Sequence, residues 1–386
     1  MTEISKSVIY IGADDKDLDL FESQYIVPEG ISYNSYLILD EKVAVMDTID
    51  RRKTDEWFDK LDKALGGRTP DYLVISHLEP DHAANIKAAA EKYPQMKLVG
   101  NKKTFAMLPQ FFDMSLDGRT VEVGEGDELS LGEHTLKFIM APMVHWPEVM
   151  MTYETSEKIL FSADAFGKFG ALDVDADWDC EARRYYFNIV GKYGAQVQAV
   201  LKKAAALDIK TICPLHGPVL SEKLEYYINK YDIWSSYRPE DEGIFIAYAS
   251  IHGNTKAAAE QLKEILDKKG AQKTVITDLS RCDIAEAVED AFRYSKLVVA
   301  ASTYDGGVFP PMEEFLAHLK SKGYKNRKAA VMENGSWGPV AGRKMREALE
   351  QMNGVEICDK SVTIKSTVKP ETVTAMEEMA DAFIAM

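Results

Sequence analysis

The chain has 386 residues, 46% of them hydrophobic, with 62 acidic against 46 basic side chains and a net charge of −16. At about 150 residues per domain this length exceeds one compact unit, and the composition excludes disordered and collagen-like chains. The acidic balance opposes non-specific attraction to nucleic acid or to an anionic membrane surface.

The first fifteen residues, MTEISKSVIYIGADD, carry no basic-then-apolar leader pattern, and no apolar run approaches the length of a membrane helix, so a cytoplasmic chain is expected. Short β-branched runs follow at 7–12, 35–39, 43–48, 72–77, 136–141 and 158–164 and predict strands. Helical periodicity interrupts them at 52–65, 83–93 and 195–207. Strands alternating with helices predict a layered α/β domain.

Two of the seven histidines fall in one short loop after the run at 72–77, as His77-Leu-Glu79-Pro-Asp81-His82. Composition alone gives roughly 0.003 expected His-x-acid-x-acid-His matches in a chain of this length, so the spacing is specific. Residues two apart can point the same way, which lets His77 and Glu79 grip one ion while Asp81 and His82 turn toward a second. Singly, His77 or Asp81 would read as a helix cap or a satisfied loop polar group. His145, Asp164 and His216 each follow another strand-like run, and strand ends on one edge of a sheet converge on one cleft. His145 or His216 alone would equally suit a buried structural role. Four imidazoles suit zinc or iron, and three carboxylates add hard oxygen donors that favour iron.

Residues 238–243, Arg-Pro-Glu-Asp-Glu-Gly, interrupt the pattern and suit a linker, giving expected domains of 1–242 and 243–386. Beyond it, strands are predicted at 244–250, 274–279, 296–302, 328–334 and 361–366. Helices are predicted at 255–269, 283–294, 311–322, 341–352 and 370–386. Five apolar strands separated by helices predict a doubly wound parallel sheet. After the first strand, Ser250, His252, Gly253, Asn254 and Thr255 offer hydroxyls and free amides at a helix start, a cradle for phosphate. The loop lacks the lysine of a nucleotide P-loop, and no G-x-G-x-x-G lies at a strand-to-helix turn. Two later strand ends carry Ser302, Thr303, Tyr304, Asp305, Gly306 and Gly307, then Asn334, Gly335, Ser336, Trp337 and Gly338, which suit a flat ring. Any one of these loops alone would read as an ordinary turn.

The histidine and carboxylate spacings resemble the metallo-β-lactamase superfamily, specifically its flavodiiron branch, because Glu79 stands where a histidine would otherwise be. The loops after 250, 302 and 334 resemble those that hold FMN in flavodoxins. The resemblance covers nearly the whole chain and identifies it as a member of the A-type flavodiiron proteins: an N-terminal metallo-β-lactamase-like αβ/βα sandwich followed by a flavodoxin-like doubly wound sheet. It implies that His77, Glu79, His145 and a bridging Asp164 hold one iron, and Asp81, His82, His216 and the same Asp164 the other. Two ferrous ions against three carboxylates would reach neutrality with one bridging hydroxide. Asp47 is expected to support the site from behind its ligands. Tyr193 is a candidate for a phenolic hydrogen bond near the metals, with a half-exposed position at a helix entry as the alternative. Tyr304 and Trp337 are the expected ring contacts of FMN. His252 departs from the residues commonly found at its position and is expected either to touch phosphate or to face solvent.

Electron counting agrees with reduction of O2 to water or of NO to N2O, and the sequence does not separate the two. The resemblance further implies an external electron donor, such as rubredoxin, a deazaflavin or another flavoprotein. It also implies a head-to-tail homodimer, or a dimer of dimers, in which each FMN serves the other subunit's iron. Cys180, Cys213, Cys282 and Cys358 form no C-x-x-C pair, so any rubredoxin must come from outside this sequence. A zinc-loaded hydrolase on the same scaffold and an electron-transfer module with an inert first domain are the rival expectations. Glu79 and the flavin loops weigh against the former, and the complete ligand set against the latter.

Overall fold

The structure is a computed structural model that describes residues 2–175 and 177–386. It falls into two compact units: the described residues through Tyr186 with Tyr193–Asp232, and Phe187–Lys192 with Ile233–Met386.

The first unit is a sandwich of two sheets. Six strands of one sheet lie in the order Val8–Tyr10, Tyr36–Ile38, Ala44–Met46, Tyr72–Val74, Lys97–Gly100, Thr120–Glu122, with Thr2–Glu3 at its edge. Pairing is antiparallel through Ala44–Met46 and parallel beyond it. The other sheet runs Glu128–Ser130, Thr135–Met140, Met150–Glu154, Ile159–Phe161, Thr211–Cys213, and only its last pair is parallel. Alternate side chains of both sheets, among them Tyr36, Met46, Val74, Phe138, Met150 and Phe161, meet in one buried core. The strands at Lys97–Gly100 and Met150–Glu154 and the edge strands near 121 and 129 are additions to the sequence expectation.

A buried anchor fastens the turn after Tyr36–Ile38. Asp40 accepts the His134 amide at 2.7 Å and the Glu41 amide at 2.7 Å, and its Oδ2 lies 2.9 Å from His134 Nδ1. Burial pushes the Asp40 carboxyl up, but these donors outweigh it and hold it at about 2. A carboxyl with a lowered native pKa stabilises fully above its unfolded value near 4, and the contribution is lost as pH falls toward 2. Asp40→Asn is expected to cost about 1 kcal/mol at pH 7, once screening by nearby solvent is counted. The difference between the two proteins' urea midpoints should close by pH 2. A constant difference from pH 7 to pH 2 would contradict this.

The second unit is a parallel sheet in the order Thr274–Asp278, Asp241–Ala249, Tyr294–Tyr304, Lys328–Asn334, Glu356–Ile357, with Val362–Ile364 also pairing parallel to Lys328–Asn334. Helices Asn254–Lys268 and Pro370–Ala385 cover one face through Leu262, Leu266, Met376 and Phe383. Helices Ile284–Arg293 and Pro310–Ser321 pack on the central strands as well, with Phe315 meeting Phe245 edge to face. This is the doubly wound order expected from the strand and helix alternation. The acidic stretch expected as a linker joins the sheet sooner than its composition suggests, because the first strand begins at Asp241.

Candidate metal centre and flavin site

His77 follows the buried strand Tyr72–Val74. Two bonds set its approach: the Ile75 amide donates to Val99 and the Ser76 amide to Asp47 Oδ1 at 2.7 Å. Glu79 then precedes a one-turn helix, Pro80–Ala83, whose proline opens it and whose first turn presents Asp81 and His82. Thr48 holds that turn by donating its amide and hydroxyl to the His82 carbonyl. His216 is fixed through its other nitrogen, since Nδ1 lies 2.7 Å from the Ser32 carbonyl, which can only accept. Gly217 follows with φ +77, and a Cβ there would meet Lys168 Cγ at 2.8 Å, so the close approach requires glycine. Non-glycine residues with positive φ flank the ligands at Asp47, Met143, Ala163 and Phe166. Such backbone strain gathers at functional sites because the surrounding packing must sustain it.

The seven side chains converge as two groups, His77, Glu79, His145, Asp164 and Asp81, His82, His216, in each of which the donor atoms lie within 4.8 Å of one another. In the first group, Glu79 Oε2 is 3.1 Å from His77 Nε2 and 3.0 Å from His145 Nε2. Asp164 Oδ2 is 3.1 Å from His145 Nε2 and 3.4 Å from His77 Nε2. In the second, His82 Nε2 is 3.0 Å from His216 Nε2 and 3.3 Å from Asp81 Oδ2, and it lies 3.2 Å from Asp164 Oδ1. The two Asp164 oxygens therefore face different groups, which is the geometry of a bridging carboxylate.

These residues fit two metal ions. Donors about 2.1 Å from a common ion and at right angles lie about 3.0 Å apart, matching the observed separations. Apart from the ring nitrogens of the cluster itself, both oxygens of Asp81 and of Asp164 are buried without a hydrogen-bond partner, as is His82 Nδ1. Buried carboxylates are costly unless positive charge faces them, and a metal cation would supply it. In the bare protein His77, His82 and His145 are pushed toward their charged forms. Burial opposes this, but Asp164 and Glu79 outweigh burial and push His145 up to about 9. Asp164 is held well below the carboxylate range, since His77, His145 and His82 outweigh its burial. Metal binding at these nitrogens would release those protons.

Asp47 sits behind the cluster, as expected, accepting the Ser76 amide, and burial raises its carboxyl to about 6. Tyr193 lies half-buried at the start of helix Gly194–Ala204. Two tyrosine rings pack on His216, Tyr185 with its centroid 5.5 Å away and Tyr33 at 6.1 Å, and Phe21 flanks the same histidine. Two carboxylates escaped the sequence reading. Glu148, three residues after His145, lies behind His77 at 2.9 Å. Glu22, at the tip of the hairpin Leu20–Phe21/Tyr25–Ile26, lines a cavity of about 260 Å³ that opens onto Glu79 and Asp81. Burial, with Glu79 adding to it, raises the Glu22 carboxyl to about 7 in the bare protein.

In the second unit a cavity of about 730 Å³ opens at the carboxyl ends of the central strands. Ser250, His252, Asn254 and Thr255 line it together with Ser302, Thr303, Tyr304, Asp305 and Gly306, and with Asn334, Gly335, Ser336, Trp337 and Gly338. Ile251 and Ser366 also line it. Gly253 precedes the helix with φ +90 and Gly307 begins the short strand after the second loop. Helix Asn254–Lys268 starts without a side-chain cap, so its first amides remain available to an anion. The Thr255 and Ser302 hydroxyls meet at 3.0 Å, and Asn334 and Ser366 exchange two hydrogen bonds that fix the remaining walls. Tyr304 is 45% and Trp337 85% exposed, which leaves two aromatic faces for a flat ligand to cover. The cavity thus combines an anion cradle with aromatic walls and a volume in the range of small-molecule sites, which fits FMN.

Two family descriptions match the chain, ODP family beta lactamase over residues 31–217 and flavodoxin over 246–378. An uncharacterized protein of Methanocaldococcus jannaschii is 30% identical over 96% of this chain and 94% of its own length. The anaerobic nitric oxide reductase flavorubredoxin of Vibrio vulnificus is 27% identical over 95% of this chain and 76% of its own. Among solved structures, the flavodiiron protein of Giardia intestinalis superposes with a TM-score of 0.93 at 26% identity, covering 99% of this chain and 95% of that one. Rubredoxin:oxygen oxidoreductase of Desulfovibrio gigas shares the fold, with a TM-score of 0.93 at 24% identity over 100% of this chain and 98% of that one.

Proposed function

The chain belongs to the flavodiiron protein family, and on that premise we propose that it is an oxidoreductase that reduces O2 to water, NO to N2O, or both. The observation that carries this reading is the gathering of four histidines and three carboxylates, all buried except the partly exposed Glu79, into two groups that the two oxygens of Asp164 face. His77, Glu79, His145 and Asp164 would hold one iron, and Asp81, His82, His216 and the second Asp164 oxygen the other. When bound, two ferrous ions and reduced FMN supply four electrons, enough to take O2 and four protons to two waters, or, using two of them, two NO and two protons to N2O and water.

The chain's own residues bind, orient and exclude. Asp164 fixes the spacing of the two positions, and Ser32 and Glu148 fix the rings of His216 and His77. Phe21, Tyr33 and Tyr185 surround His216 and keep bulk water from that side. The cavity beside Glu79 and Asp81, at about 260 Å³, is smaller than the usual small-molecule pocket and suits a diatomic gas better than an ester. For FMN, Ser250, Thr255 and the first amides of the helix would take the phosphate, while Tyr304 and Trp337 cover the ring. In this reading the protein works in the cytoplasm as a head-to-tail homodimer and takes electrons from a rubredoxin, a deazaflavin or another flavoprotein.

Metal analysis and gas consumption of metal-free protein reconstituted separately with ferrous and with zinc ions test the proposal against a hydrolase. About two irons per chain, with O2- or NO-electrode consumption restored by iron and not by zinc, is the expected result. Zinc-dependent ester cleavage without gas consumption would overturn it.

A further inference from the structure

The two halves of the metal cluster are backed differently. Glu148 is fully buried, and its Oε1 lies 2.9 Å from His77 Nδ1 while also accepting the Leu78 amide at 2.9 Å. Its Oε2 is buried without a hydrogen bond. A carboxylate can only accept, so His77 must carry a proton on Nδ1, which leaves Nε2, facing Glu79 and Asp164, as the nitrogen that would ligate a metal. In the other half, His216 Nδ1 meets a neutral backbone carbonyl, and His82 Nδ1, though buried, has no partner. Each half otherwise holds two imidazoles and one carboxylate of its own and shares Asp164. Glu148 therefore places a full negative charge in direct hydrogen bond with a histidine of one position, whereas the other buried carboxylate nearby, Asp47, lies near both His82 and His77 and accepts the Ser76 amide.

The Glu148 backbone is fixed as well. Asn101 Nδ2 donates to the Glu148 carbonyl at 2.6 Å, and the Val149 and Ala141 backbones pair at 2.9 Å. The segment 145–148 thus supplies one histidine of this position directly and fixes the other from behind.

We propose that Glu148 is a positioning residue that makes the two metal positions unequal: through His77 it strengthens binding at the His77/Glu79/His145 position and stabilises the oxidised ion there. The inference rests on the metal-site reading above. An anionic partner raises the basicity of a ligating imidazole, and loss of such a partner typically weakens metal binding about 10- to 100-fold. Negative charge near the metal also favours its higher oxidation state, so removing it raises the reduction potential.

Cobalt(II) titration of metal-free full-length protein, followed by ligand-field absorption, reads the two positions without any redox step. Wild type should show two binding events. Glu148→Gln keeps an acceptor for His77 but loses the charge, so one event should weaken about 10- to 100-fold and the other stay in place; Glu148→Ala should abolish the weakened event. Asp81→Ala, which removes a donor of the opposite position, should leave a single event, and adding Glu148→Gln should weaken that same one. In the iron-loaded protein, Glu148→Gln should shift one of the two iron potentials upward and leave the other. Flavin content and circular dichroism report whether each variant folds, and the glutamine variant carries the test if the alanine variant does not. Two unchanged cobalt events with two unchanged potentials, or equal shifts of both positions, would overturn the proposal. Zinc in place of iron in the native protein would instead overturn the reductase reading, while the inequality of the two cobalt events would still stand.

Discussion

Asp164→Ala is expected to abolish gas reduction while leaving the flavin half intact. Asp164 is 1% exposed, and its two oxygens face different donor groups, Oδ2 toward His145 at 3.1 Å and Oδ1 toward His82 at 3.2 Å. On the proposed ligand set, its removal would take one ligand from each position and the carboxylate that faces both. Loss of an outer partner alone typically costs about 10- to 100-fold, so loss of a shared direct ligand should exceed about 100-fold in O2 or NO consumption. Iron should fall from about two per chain to below one, measured by metal analysis. FMN should bind as in wild type, because the flavin cavity is lined wholly by residues of the second unit. Near-normal iron content in this variant would show that Asp164 does not bridge.

The complementary change is Thr255→Val. Thr255 stands in the first turn of helix Asn254–Lys268, buried, with its hydroxyl 3.0 Å from Ser302 Oγ. Valine keeps the branched shape and removes the hydroxyl. A hydrogen bond to a charged phosphate contributes about 1.5–3 kcal/mol, so FMN should bind about 10- to 100-fold more weakly in a fluorescence titration. Iron content should not change, and gas consumption with a flavin-dependent reductant should recover as FMN is added in excess. Unaltered FMN affinity would move the phosphate away from this loop. The two variants together separate the cofactor sites, since each is expected to empty one and spare the other.

Much of this was legible in the sequence because the chemistry sits where the backbone signal is strong. His77 and Glu79 lie between the buried strand Tyr72–Val74 and the helix-opening Pro80, and Asp81 and His82 fall in the turn that Pro80 starts, so the register and the exit of this segment are fixed locally. The second unit was legible because its central strands, Asp241–Ala249, Tyr294–Tyr304 and Lys328–Asn334, are largely buried on both faces and read as apolar runs. Edge and antiparallel strands such as Thr120–Glu122 and Glu128–Ser130 are short and polar on one side, and only their partners define them. Tyr185 escaped the sequence reading because helical phase cannot be carried through this stretch. The chain turns from the α-helix Trp178–Tyr185 into a wider π turn at Tyr186–Val190 and a tighter 3₁₀ turn at Gly191–Tyr193. Glu148 and Glu22 act through contacts with residues more than fifty positions away, Glu148 with His77 and Glu22 with Glu79, which no local spacing records. The Ser32 carbonyl behind His216 is a backbone group and leaves no mark on residue identity at all.

The most direct test of the account counts electrons into gas. Iron- and FMN-loaded protein is reduced anaerobically, freed of excess reductant and mixed with limiting O2 while dissolved gas, flavin absorbance and peroxide are followed together; a parallel run uses NO. The account predicts that each chain consumes about one O2 with full flavin reoxidation and no peroxide, or forms about one N2O for every two electrons from NO, and that Asp164→Ala does neither. Flavin reoxidation that yields about one hydrogen peroxide per O2, with no dependence on iron and no NO consumption, would contradict it.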